Sequence, residues 1–425
     1  MTMDVYQVLK DRGFIYQETD GAALHQLLKA EKIRFYIGFD PTGSSLHTGH
    51  LLPIMGMRWL QAAGHTPIVL VGGATAQIGD PSGKSEARQM LSKETVAANA
   101  AALKEQLARF VDVDNAVFVN NADWFKDMLY IDFLREIGSK FSVNRMLTAE
   151  SVKMRLETGL SFLEFNYMIL QGYDFAVLNK NYHCRAQFGG QDQWGNILCG
   201  VDLTRRLNQQ EVFGATFPLL LNSNGEKFGK SAGNAVWLDA SRTSVFDYYQ
   251  FWRNCEDGEV ERLLNFFTAI PVEETAQLGR LEAPAINRAK EILAYEATRL
   301  AHGAAAAGKA YLAAGGKFGF ADPEGKIATS STITGIKPEA ALDELPTVRI
   351  PASEFHDNAV WAIRLLVLAG FCNSNGEARR LIQGGGAYLG DTRIVSPDVN
   401  IPLATFQAGP VLLKAGKKKI KRLVL

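Results

Sequence analysis

Three short constellations in this 425-residue chain bring together residue types that could do chemistry. The first is His47-Thr48-Gly49-His50, which ends the loop 40–50. A strand-like run at 33–39 precedes that loop and a helix-like run at 51–63 follows it. Free N–H groups at a helix start, and the helix dipole, favour an anion there. Two imidazoles three residues apart add donors aimed the same way. Gly49 between them would let a flat ring or a phosphate approach the backbone. The second constellation is Tyr167, Gln171 and Asp174, which share one face of a helix at i, i+4 and i+7. A phenol, an amide and a carboxylate make a polar wall for a small amphoteric ligand, because carboxylate and amide can hold an ammonium or a hydroxyl. The third is Glu226-Lys227-Phe228-Gly229-Lys230-Ser231, where two lysines beside glycines form a cationic clamp suited to polyphosphate.

The elements that must position these groups are legible as an alternation. Runs at 33–39, 66–71, 116–119 and 184–188 read as strands, and 92–110 and 131–141 as helices. Such alternation predicts a parallel α/β sheet, with ligands beyond the carboxyl ends of the strands. The opening loop and the glycine-rich segment 72–84 both follow such strands, which predicts one shared site and brings Asp80 beside it. Gly83-Lys84-Ser85 does not complete a phosphate-binding P-loop, because Ile78 stands where that pattern needs a glycine. Ser161 and Glu164 form a capping box opening a helix to about residue 178. In 187–196 a strand, a glycine pair and Asp192, read as an N-cap, lead into a helix through Arg206.

Beyond Asp239 the strand alternation stops. Runs at 245–267 and 285–314 read as helices, and 321–347 is Pro-, Gly-, Ser- and Thr-rich like a linker. The expected organisation is a catalytic domain at 1–239, a helical domain at 240–320, a linker at 321–347 and a small C-terminal domain at 348–425. In that last part Arg379 and Arg380 precede a glycine turn, and Lys414, Lys417, Lys418, Lys419, Lys421 and Arg422 cluster near the end. The chain has 45 basic and 45 acidic residues, so any attraction to RNA phosphates must come from a local patch of this kind. Residues 1–13 lack an apolar core of signal-peptide length, and no run approaches the ~20 apolar residues of a membrane span. Four scattered cysteines without C-x-x-C spacing fit reduced thiols and suggest neither a disulfide framework nor a zinc site. A cytoplasmic enzyme with no membrane contact and no resident metal is the expectation.

Together the segments resemble the class I aminoacyl-tRNA synthetases, specifically those of bacterial tyrosyl type, over nearly the whole chain. Residues 41–50 match the HIGH-type signature of that family and Lys-Phe-Gly-Lys-Ser at 227–231 its KMSKS-type signature. Tyr36-Ile37-Gly38-Phe39-Asp40-Pro41-Thr42, the Tyr167–Gln171–Asp174 spacing and Gly189-Gly190-x-Asp192-Gln193-Trp194-Gly195-Asn196 select the tyrosine enzymes. Thr48 departs from the usual apolar residue and Gln191 from the usual serine. The alternatives are a tryptophan-specific relative and an RNA-binding protein on an inactive synthetase fold. Tyr36, Asp174 and the Gly-Gly-x-Asp-Gln-Trp run argue against the first, and the presence of both histidines and both lysines against the second.

The resemblance implies a Rossmann-like parallel sheet in the catalytic domain, a helical domain in the anticodon region and a small α+β RNA-binding domain. It implies activation of L-tyrosine with ATP and Mg2+, then transfer to the 3′ end of tRNA, by a homodimer joined through an insertion around 121–146. Thr42, His47, His50, Lys227 and Lys230 would be the catalytic groups. Tyr36 and Asp174 would face the substrate phenol, with Tyr167, Gln171 and Asp80 around the α-ammonium and Gln193 near the carboxylate. Gly38, Asp40, Gly49, Gly189 and Asp192 would join the histidines and Lys230 around ATP. Arg379, Arg380, Lys417, Lys418 and Lys419 would meet RNA.

Overall fold

A computed structural model describes residues 3–82, 91–156, 159–221, 230–231, 234–337, 347–390, 392–416 and 419–425. The chain divides into two compact units, Met1–Ser244 with Glu256–Gly279 and Val245–Cys255 with Arg280–Leu425. In the first, six strands form one sheet: β1 (Gln17–Glu18), β2 (Arg34–Phe39), β3 (Thr66–Val71), β4 (Val117–Asn120), β5 (Cys184–Gly190) and β6 (Phe213–Phe217). Their spatial order is β1-β6-β5-β2-β3-β4. β2 to β6 run parallel, and β1 closes the β6 edge antiparallel. β3 is covered on both faces, so it reads in sequence as a continuous apolar run. The chain lays β3 and β4 to one side of β2 and then β5 and β6 to the other. That reversal opens a crevice at the carboxyl ends of β2 and β5, where Tyr36 lies opposite Gln187.

Several elements differ from the sequence expectation for identifiable reasons. The capping box at Ser161 and Glu164 is present, but it opens a four-residue helix, Phe162–Phe165, and a second helix, Tyr167–Tyr182, follows Asn166. Asp192 is not an N-cap. It lies within the 3-10 turn Gln191–Gln193, and the helix Trp194–Asn208 starts after Gln193 with no side-chain cap. The run 245–267 is two helices, Val245–Arg253 and Val260–Phe267, separated by the turn Asp257–Glu259. The later of these belongs to the first unit. Buried Arg12 holds it there by donating to the carbonyls of Asn265 and Thr268 at 3.1 Å and Ile270 at 2.7 Å, which satisfies groups a helix end leaves open.

In the second unit Gly303, at φ +85°, divides Ile286–His302 from Ala304–Phe318. Residues 321–337, expected as part of a linker, are tied to these helices. Glu291 accepts the Ala321 N–H at 2.8 Å, Glu296 accepts the Ser331 hydroxyl at 2.6 Å, and Ile333 is buried. The remainder of that expected linker, 338–346, lies outside the described residues. The C-terminal part carries a five-stranded sheet whose strands lie in the order Thr392–Arg393, Ala387–Leu389, Val411–Ala415, Lys419–Val424 and Thr347–Arg349. Ile363, Leu366, Ile382, Leu413 and Leu423 supply its core. Among the described residues no helix is long and apolar enough to cross a membrane.

Beneath the first sheet an aromatic chain runs from Phe35 to Phe188, Phe217, Phe14 and Phe266, with ring centroids 5.2–5.9 Å apart. Gly56, on the helix Leu51–Ala62, sits against it. A Cβ there would lie 2.4 Å from Phe217 Cζ. Alanine gains ~1 kcal/mol over glycine in an open helix, whereas overpacking a filled core costs about 1–3 kcal/mol. The clash wins. Gly56→Ala is expected to lower the thermal unfolding midpoint; a raised midpoint would show that the ring has room to yield.

Candidate active site

The crevice is a cavity of about 560 Å³. It collects most of the residues singled out in the sequence. Tyr36, Gly38 and Asp40 reach it from β2 and the turn after it, and Thr42, His47, Gly49 and His50 from the following loop. Asp80 enters from the loop after β3; Tyr167, Gln171 and Asp174 line it from one helix face; Gly189, Asp192 and Gln193 come from the end of β5. Lys227 lies outside the described residues, and Lys230 is described through its backbone, which pairs with Ala235. Arg379 and Arg380 are exposed on the helix Asn375–Gln383 in the second unit. Lys417 and Lys418 fall outside the described residues, while Lys419 opens a strand.

The tyrosine wall is buried and chemically specific. Burial, with the charges of Asp174 and Cys184, holds the Tyr36 phenol well above its usual range, so it keeps its proton. Its hydroxyl is buried and has no hydrogen-bond partner among the described residues. Asp174 accepts the Trp124 indole N–H at 2.9 Å on Oδ1 and the Asn121 amide at 3.1 Å on Oδ2. Burial pushes its carboxyl up to about 8, against the pull of those two donors and with a smaller push from Asp40. Tyr167 and Thr75 each donate a hydroxyl to Asp40, both at 2.8 Å. Gln193 Nε2 donates to Asp80 at 2.6 Å, and Asn196 Nδ2 holds the amide oxygens of Gln171 at 3.0 Å and Gln193 at 3.2 Å. Gln187 Oε1 is buried in the cavity wall without a partner among the described residues.

The histidine turn works differently from a bare helix start. His47 Nδ1 accepts the Gly49 N–H and His50 Nδ1 accepts the His47 N–H, both at 3.1 Å. Those two amides therefore meet imidazoles and are not open to an anion. A Cβ on Gly49 would lie 2.9 Å from the His47 ring, so this glycine makes room for the ring before any ligand. Burial, then the neighbouring His47, pushes His50 down to about 3, and it is neutral. With Nδ1 accepting a backbone N–H in each ring, the hydrogen-bond pattern places the His50 proton on Nε2 and leaves the His47 Nε2 as the donor nitrogen of its ring. The loop is anchored by two amides on the helix Lys93–Leu107. Asn99 donates to the Pro41 carbonyl at 3.1 Å, and Gln106 accepts the Leu46 N–H at 3.0 Å. Thr48 is fully buried and donates its N–H to Val236 at 2.9 Å, while Gln191 accepts the Leu219 N–H at 3.5 Å.

Sequence reasoning passed over Thr75, Asn99, Gln106, Asn121, Trp124 and Asn196. The i, i+7 spacing of Asn99 and Gln106 was a usable signal, as was the place of Asn121 just past the carboxyl end of β4. Among the described residues no group of three His, Cys, Asp or Glu side chains is arranged to hold a metal ion.

A family model described as "tRNA synthetases class I (W and Y)" matches residues 28–318. The "Tyrosine--tRNA ligase" of Clostridium botulinum strain Hall is 46% identical over 424 residues, covering 99% of each chain. That of Desulfatibacillum aliphaticivorans is 48% identical over 428 residues, covering 100% of this chain and 99% of the relative. Among solved structures, a C-terminally truncated Aspergillus nidulans mitochondrial tyrosyl-tRNA synthetase matches with a TM-score of 0.66 at 31% identity, over 73% of this chain and 92% of that one. The Archaeoglobus fulgidus tyrosyl-tRNA synthetase, solved with L-tyrosine, shares the fold at a TM-score of 0.56 and 18% identity, over 72% of this chain and 100% of that one. The chain belongs to the class I tRNA synthetases of the tryptophan and tyrosine group and, within it, to the tyrosine–tRNA ligases.

Proposed function

We propose that the cavity activates L-tyrosine with ATP to tyrosyl-adenylate and pyrophosphate, and that the tyrosyl group then passes to the 3′ end of a tRNA in the cytoplasm. The observation that carries the tyrosine assignment is the buried pair at Tyr36 and Asp174. The protonated Tyr36 hydroxyl can donate to the substrate phenol oxygen, and the buried Asp174 carboxyl is the second hydrogen-bonding partner for that phenol. Phenylalanine would leave the buried Tyr36 hydroxyl unpaired and take from Asp174 its substrate partner, and tyrosyl enzymes are the standard illustration of such discrimination. Tyr167 gives its proton to Asp40, which leaves its oxygen lone pairs for the substrate ammonium beside Asp80 and Gln171. Gln193 serves the substrate carboxylate.

That carboxylate is already ionised, so attack on the α-phosphorus of ATP needs no strong base. Positioning and donors on the phosphates carry the rate. His47 and His50 offer Nε2–H groups, with Thr42 and His47 assigned to the outer phosphates and His50 to the adenosine side. Gly38, Asp40, Gly49, Gly189 and Asp192 shape the nucleotide site, and Lys227 and Lys230 close over pyrophosphate. Mg2+ enters as the counter-ion that ATP brings. Exposed Arg379 and Arg380, with Lys417, Lys418 and Lys419, are the proposed RNA contacts. A homodimer is supported by Leu129, Ile131 and Phe162, which are 70%, 62% and 69% exposed on segments whose buried residues share one core.

Asp174→Ala is expected to lower kcat/KM for tyrosine in ATP–pyrophosphate exchange by roughly a hundredfold, with the KM for ATP changed far less. Near-normal turnover would refute the phenol assignment. The raised carboxyl also has a stability signature. An unfolded aspartate loses its proton near pH 4, whereas folded Asp174 keeps it until about 8. Stability therefore falls as pH rises through that window. The thermal midpoint of Asp174→Asn should exceed that of the parent by a margin that widens from about pH 5 to about pH 8; a constant margin would contradict the shift. Finally, Ile131→Asp combined with Phe162→Asp should sediment as a monomer at concentrations where the parent is dimeric, and a persistent dimer would place the interface elsewhere.

A further inference from the structure

Thr75 is 1% exposed, lines the cavity, and is bonded on two sides. Its hydroxyl donates to Asp40 Oδ1 at 2.8 Å and accepts from Asn121 Nδ2 at 3.0 Å. The other proton of that same amide reaches Asp174 Oδ2 at 3.1 Å. The direction of this chain is forced, because the Ala74 N–H fixes Asn121 Oδ1 as the acceptor, so Nδ2 donates both ways, and the one proton of the Thr75 hydroxyl is left for Asp40. Asp174 and Asp40 are thus joined through Asn121 and Thr75. The loop carrying Thr75 is fastened to the same support, with the Ala74 N–H donating to Asn121 Oδ1 at 2.7 Å and the Gly73 N–H to Asn120 Oδ1 at 3.2 Å. Gly72 leaves space for the link, since a Cβ there would lie 2.0 Å from Asp40 Oδ1 and 2.4 Å from Thr75 Oγ1.

We infer that Thr75 is a positioning residue that couples recognition of the tyrosine phenol at Asp174 to the orientation of Asp40 on the nucleotide side. The inference rests on the assignment of Asp174 to the phenol and Asp40 to ATP. A phenol that draws Asp174 toward itself moves the Asn121 amide, and Thr75 passes that displacement to Asp40. Each substrate then tightens the site for the other. Without the hydroxyl, Asp40 loses one of its donors and Asn121 is no longer held between two acceptors.

The test is ATP–pyrophosphate exchange with both substrates varied, on Thr75→Val, Thr75→Ser and Asn121→Ala. Thr75→Val should raise the KM for tyrosine and for ATP by about tenfold each and weaken the factor by which one substrate lowers the KM of the other. Thr75→Ser, which keeps the hydroxyl, should stay within about twofold of the parent. In an Asn121→Ala background, Thr75→Val should still raise the KM for ATP but leave that for tyrosine unchanged. An undiminished mutual effect of the substrates in Thr75→Val, or full additivity of Thr75→Val and Asn121→Ala on tyrosine, would overturn the link. Should Thr75→Val not fold, as read by its thermal melt, loss of the mutual effect in Asn121→Ala with retention in Thr75→Ser tests the same bridge. Unchanged tyrosine kinetics in Asp174→Ala would instead remove the phenol assignment, a separate failure.

Discussion

Taking an acid out of water is costly unless its oxygens meet donors, and Asp174 and Asp40 in the cavity wall show how that demand is met. Asp174 receives N–H bonds on both oxygens, from Trp124 and Asn121, and Asp40 receives O–H bonds on both, from Thr75 and Tyr167. These six residues come from four places in the sequence: the turn after β2, the loop after β3, the segment after β4 and the helix before β5. A parallel sheet is the scaffold that delivers all of them to one side, because successive strands end at the same edge. Replacing it with an antiparallel meander would send alternate loops to the opposite face. The polarity of the sheet and the solvation of the two acids are thus one requirement seen at two scales.

Buried Glu164, outside the cavity, serves a different end. Arg155 and Glu164 pair at 2.9 Å with almost no exposure, and Glu164 also accepts the Ser161 hydroxyl and N–H. Burial would raise the Glu164 carboxyl, but the Ser161 and Arg155 bonds outweigh it and hold the group below its ordinary value. Such pairs add more to the definition of one geometry than to net stability. Here the defined geometry is the short helix that exposes Phe162 and leads into Tyr167.

The sheet was legible because strands such as 66–71 are buried on both faces and leave an unbroken apolar run. The polar stripe from Tyr167 to Asp174 was legible from helical spacing alone. What stayed hidden depends on partners remote in sequence. The placement of Val260–Phe267 in the first unit rests on Arg12 reaching Asn265, 253 residues away. Asn121 reads as an ordinary turn residue until the fold brings Asp174 to its amide. Asp192 has the residue type of an N-cap, yet the 3-10 turn Gln191–Gln193 shifts the helix start past it. Residues 321–337 have the composition of a linker, and only Glu291 and Glu296 reveal that they are fastened.

The two histidines, with ring centroids 4.0 Å apart, have the residue types and proximity of a transition-metal chelate. Imidazole binds such ions through a nitrogen lone pair. In this turn each Nδ1 lone pair is already occupied by a backbone N–H, from Gly49 for His47 and from His47 for His50, and each Nε2 carries the proton. The pair has nothing left to offer zinc or nickel without first breaking the turn. The turn that orients the two imidazoles is in this way also what disfavours their chelating the trace metals that imidazoles ordinarily attract.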